Sequence, residues 1–62
     1  MTPVELLQTA LDKEKDAYRF YDDMLRKYDL PAVKDLLVQL KDAEYKHQKI
    51  IEEKIAEITK SF

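Results

Sequence analysis

Glu44 and His47 form a Glu-x-x-His pair within Asp42-Ala43-Glu44-Tyr45-Lys46-His47. A carboxylate and an imidazole together are donors for a divalent metal ion. Three residues apart on a helix, they are neighbours on one face. At about 100° per residue, Val33, Leu37, Leu40, Ile51, Ile55 and Ile58 fall in one apolar stripe, and Glu44 and His47 fall in it too. The ionisable pair is therefore expected to face inward. Burying a carboxylate beside an imidazole is costly unless a partner compensates, and a metal ion is such a partner.

Two helices have to place these groups. Thr2-Pro3-Val4-Glu5 reads as a helix start, with Thr2 as cap, Pro3 at the first helical position and Glu5 reaching back to close a capping box. With no Gly anywhere and no Pro between Pro3 and Pro31, the first helix is expected over residues 3–28. Pro31 lacks an N–H and pushes Leu30 out of the α region, so residues 29–31 form the turn and the second helix runs over 31–60. So short a connection folds the chain back as an antiparallel hairpin, a single unit over residues 1–62.

The first helix carries Val4, Leu7, Leu11, Tyr18, Tyr21, Leu25 and Tyr28 at the spacing of a bundle seam, with Glu14 in a seam position between Leu11 and Tyr18. Glu14 lies about 15 residues before the turn and the midpoint of Glu44 and His47 about 16 after it, or roughly 23 to 24 Å along either helix. All three ionisable groups are thus expected at one height on facing helices. Each has a plainer reading by itself. Glu14 could lean to the rim with its carboxylate in water, and Glu44 with His47 could be a surface pair of small consequence. Their coincidence at one level favours a metal site.

Composition narrows the function. With 11 Lys and Arg against 13 Asp and Glu, the chain has no basic field to attract nucleic acid. Its apolar runs are too short to span a membrane, and a soluble, cytoplasmic protein is expected. Without Cys there is neither a disulfide framework nor a Cys-based zinc site, and 62 residues bury little core. A two-helix hairpin cannot enclose its own apolar face. Two-fold association into a four-helix bundle is the simplest solution. Two copies of Glu14, Glu44 and His47 would then supply four carboxylates and two imidazoles, a ligand set for two iron or manganese ions in a bundle core.

In these residues the chain resembles the ferritin-like superfamily, nearest to its rubrerythrin and encapsulated-ferritin branch. Glu14, Ala17, Phe20 and Tyr21 in Glu-Lys-Asp-Ala-Tyr-Arg-Phe-Tyr match the first half of the motif, and Glu44 with His47 the second. The resemblance implies a ferritin-like four-helix bundle with two iron ions per dimer, manganese or zinc being possible in their place. It makes Glu14, Glu44 and His47 the metal-binding and catalytic residues. It makes Tyr21 a supporting residue whose hydroxyl bonds a ligand carboxylate, although an aromatic filling the core is the alternative reading. The motif occurs once here and twice in most of the superfamily, so a complete site would be intermolecular, in a homodimer or a multiple of dimers. With no Cys for an internal relay, electrons would come from an external donor.

The expected function is a di-iron carboxylate protein that binds Fe(II) at a dimer interface and reacts with dioxygen or peroxide, as a ferroxidase or peroxidase. The alternative is a non-catalytic dimerisation module whose polar or structural-metal layer fixes helix register, as buried polar residues do in coiled coils.

Overall fold

A computed structural model describes residues 1–60 as two helices, α1 (Pro3–Lys27) and α2 (Pro31–Lys60), packed along their lengths into a hairpin with extents of 48 × 17 × 12 Å. The start of α1 is closed on both sides by its capping box. Thr2 Oγ1 accepts from the Glu5 N–H at 3.1 Å, and Glu5 Oε1 accepts from the Thr2 N–H at 3.2 Å. The C-terminus of α1 lies one residue earlier than the seam periodicity suggests. Tyr28 is the C-cap, with extended backbone at φ −127° and ψ 134°, and its N–H donates to the Met24 carbonyl at 3.1 Å. Arg26 and Lys27 place positive charge on the last turn, where it complements the helix dipole. After the turn, the N–H groups of Val33 and Lys34 both donate to the Leu30 carbonyl at 3.0 Å, which starts α2 directly behind Pro31.

The seam holds Leu7, Leu11, Tyr18 and Leu25 of α1 against Leu37, Leu40, Ile51, Ile55 and Ile58 of α2. Among the described residues only Leu11 is buried, at 7% exposure; the others are half-buried. Val33 and Tyr28, expected in the seam, stand at its turn end and are exposed. A second apolar row flanks the seam on each helix. It comprises Leu6 and Phe20 on α1 and Leu36 and Ile50 on α2, all exposed, with Ile50 at 63%. Their angular positions put both rows on the same side of the hairpin, since antiparallel helices turned the same way about their own axes face the same direction. The hairpin therefore has one face nearly as apolar as its seam and open to solvent. No helix of the described residues is long and apolar enough to cross a membrane.

Candidate metal centre

Glu14 comes from the middle of α1, and Glu44 and His47 from the middle of α2. Counted from the turn, Glu14 and Glu44 stand at equal heights, and His47 is about 4.5 Å further along its helix. Side chains lean toward the N-terminus of their own helix. In antiparallel partners Glu14 therefore leans away from the turn and His47 toward it, which closes the difference. His47 Nδ1 lies 3.3 Å from Glu14 Oε2 and 3.8 Å from Glu44 Oε2. Ligand atoms of the three residues all lie within 4.8 Å of one another.

The three differ in burial. The Glu14 and Glu44 side chains are mostly covered, whereas that of His47 is 53% exposed. The inward stripe expected from the sequence thus includes Glu44 but carries His47 at its edge. Three residues on a helix is about 300°, which turns His47 some 60° away from Glu44 toward the open apolar face. Within the hairpin the site is consequently walled by the seam on one side and open to solvent on the other. A groove of about 390 Å³, lined by Gln39, Asp42, Ala43, Lys46 and His47, runs beside it on α2, and α1 contributes nothing to its lining.

The donor set fits a divalent ion. First-row ions bind imidazole nitrogen and carboxylate oxygen at about 2.0–2.2 Å, which puts donors at adjacent vertices roughly 3 Å apart. The carboxylates at 3.3 and 3.8 Å from the imidazole are near that spacing, and all three ligand atoms lie within 4.8 Å of one another, so a bound ion would draw them inward. The nitrogen facing both carboxylates is Nδ1. A carboxylate only accepts, so Nδ1 carries the hydrogen in this contact, a tautomer assigned from the geometry. A metal ion would take that hydrogen's place.

Tyr21 is half-buried on the same side of α1, and its ring meets Phe20 edge-on at 5.5 Å and 71°. Among the described residues its hydroxyl makes no hydrogen bond to Glu14 or Glu44; the contact at Glu14 comes from His47. Tyr18 is set apart from the site, stacked in a tilted contact with Tyr45 at 6.4 Å.

The rubrerythrin family model matches residues 5–61, which takes in both helices and all three candidate ligands. The chain belongs to the rubrerythrin family. Members of that family typically bind iron, which agrees with the hard oxygen and imidazole donors gathered here. No curated protein and no solved structure matches the chain. The matched range also takes in Asp22 and Lys41. These form the other polar contact across the seam, at 2.8 Å. Sequence reasoning missed them because they are separated by about 7.5 Å in height, and only a lysine stem leaning toward the turn spans the gap.

Proposed function

We infer that two copies of this hairpin close their open faces on each other as a four-helix bundle, and that Glu14, Glu44 and His47 of both copies hold two iron ions between them. The observation that carries this reading is the meeting of the three ligand atoms within 4.8 Å at the border of an uncovered apolar face. A catalytic site at such a border is completed, and shielded from water, by whatever covers the face. A second copy brings the same ligands and the same apolar rows, and a two-fold contact is self-complementary.

Iron held there would supply one electron from each Fe(II) for reduction of dioxygen or peroxide, the chemistry of a ferroxidase, or of a peroxidase where an external donor returns the electrons. The protein's own part is to bind and to exclude. Glu14 and His47 would each hold one ion from opposite helices, and Glu44, the most covered carboxylate, would serve both. His47 ligates through Nδ1 only after giving up its hydrogen, so binding releases protons in acid solution. Leu40, Ile51 and the rows closed by the second copy keep bulk water away. Tyr21 stands on the face that closes, where its hydroxyl serves to bond a ligand carboxylate of the assembled site.

The direct His47–Glu14 contact at 3.3 Å favours a second reading, a polar layer that fixes register without metal. Elemental analysis of protein purified without added metal, coupled to its mass in solution, separates the two. Iron in a species of twice the chain mass supports the first. A metal-free bundle indifferent to chelators and to added Fe(II) supports the second.

A further inference from the structure

A second polar contact crosses the seam on the flank away from Glu14 and His47. Lys41 Nζ donates to Asp22 Oδ1 at 2.8 Å, and Arg26 Nη2 lies 2.7 Å from the other oxygen of Asp22. Lys41 is also held over the Tyr18 ring, 5.2 Å from its centroid. Hydrogen bonding to Lys41 holds the Asp22 carboxyl below the usual carboxylate range, and the same bond raises Lys41. Both side chains are a quarter exposed or less, whereas the pairs Arg19–Asp16, Lys49–Glu52 and Lys54–Glu57 stand well out in solvent. Around the helices, Asp22 is about 80° from Glu14 and Lys41 about 120° from His47. The two contacts therefore grip the seam from opposite flanks.

Besides these two polar contacts, the Tyr18 ring meets Tyr45 across the seam at 6.4 Å. Rows of Leu and Ile offer more than one ridge-and-groove fit, and Leu11 alone of the described residues is buried. The turn tethers the helices at one end only. A roll of about 30° moves a side-chain tip at roughly 5 to 6 Å from the axis through about 3 Å. That is as long as the 3.3 Å contact itself.

We propose that Asp22 and Lys41 are positioning residues, whose ion pair sets the roll of α1 against α2 and so holds Glu14 where it meets His47 and Glu44. As a statement about metal binding this rests on the reading above; as a statement about the hairpin it stands without the metal.

Two measurements on the full chain test it. One is the nuclear Overhauser contact between the His47 ring and the Glu14 side chain in metal-free protein, and the other is affinity for cobalt(II). In Asp22→Asn and Lys41→Met the contact is expected to weaken and cobalt affinity to fall about tenfold, the lower end of the cost of losing a group that orients metal ligands. Lys41→Arg, which keeps the cation, is expected to retain both. Leu7→Ala weakens the seam with the ion pair intact, and is expected to keep both while its helix content is preserved. Contact and affinity unchanged in Asp22→Asn and Lys41→Met would overturn the proposal, as would equal losses in Leu7→Ala or loss of both in Lys41→Arg. If Lys41→Met loses its helices, Asp22→Asn against Asp22→Glu decides, with the carboxylate expected to retain the contact. A parent chain that takes up no cobalt overturns the metal reading instead, and the Overhauser contact then decides the role of the pair.

Discussion

His47 Nδ1 lies 3.3 Å from Glu14 Oε2 although the two residues stand on different helices, 33 positions apart in sequence. The contact joins the half-exposed member of the site to a mostly covered one. It therefore marks where the hairpin's interior passes into its open face. Its consequences for assembly, metal binding and stability can each be measured.

The first expected outcome concerns assembly. With Leu6, Phe20, Leu36 and Ile50 exposed on one side, the chain is expected to sediment at micromolar concentration as a dimer or a multiple of one. A folded monomer at that concentration would remove the six-ligand site.

Glu44 is the most covered of the three candidate ligands, with 18% of its side chain exposed. Glu44→Ala is expected to abolish iron uptake, measured as the near-ultraviolet ferric absorption that follows addition of Fe(II) in air. Parent-like uptake in that variant would exclude Glu44 from the site.

Metal affinity is expected to depend on acidity through competition between proton and metal for the imidazole. The imidazole nitrogen must be free of its proton to bind a metal, so affinity should fall as the solution is made acidic, with protons released on binding. Calorimetry in buffers of different ionisation enthalpy counts those protons. Equal affinity at about pH 5.5 and pH 7.5 would argue against His47 as a ligand.

In the proposed dimer without metal, four carboxylates would share one core, where repulsion and desolvation oppose folding. Replacing both, as Glu14→Leu with Glu44→Leu, is expected to raise stability by about 1 to 4 kcal/mol over the metal-free parent, as when buried charges are exchanged for apolar side chains. Added metal should raise the melting temperature of the parent and leave the variant unchanged. A variant less stable than the parent would favour the register-fixing layer.

The Asp22–Lys41 pair carries its own pH signature. Asp22 is depressed, so its contribution is present above the unfolded carboxylate value and disappears as pH falls through the lower folded value. Lys41 is raised, so its contribution is complete below the unfolded lysine value and disappears as pH rises through the higher folded value. Thermal melts are expected to show this contribution constant from mildly acidic to mildly alkaline solution and reduced by salt. Asp22→Asn should remove the acid limb of the difference. A melting profile of the same shape in parent and variant would show that the pair contributes nothing to stability.

Helix identity, the cap at Thr2, the break at Pro31 and the meeting of Glu14, Glu44 and His47 at one level were all legible in the sequence. Each depends on short-range rules: capping geometry, the missing N–H of proline, and a period of about 3.6 residues that sorts side chains onto faces. Equal spacing from a short turn was enough to bring Glu14 level with Glu44. What the periodicity could not resolve was the roll of each helix about its axis. A stripe about 100° wide admits His47 either inside the seam or at its rim, and only the packed pair of helices places it at the rim, half-exposed. The same limit concealed Asp22 and Lys41, whose contact depends on a long side chain leaning across a difference in height. Spacing along the chain records where a residue stands on its own helix. The direction in which a side chain reaches across to another helix is decided by all the contacts of the seam together.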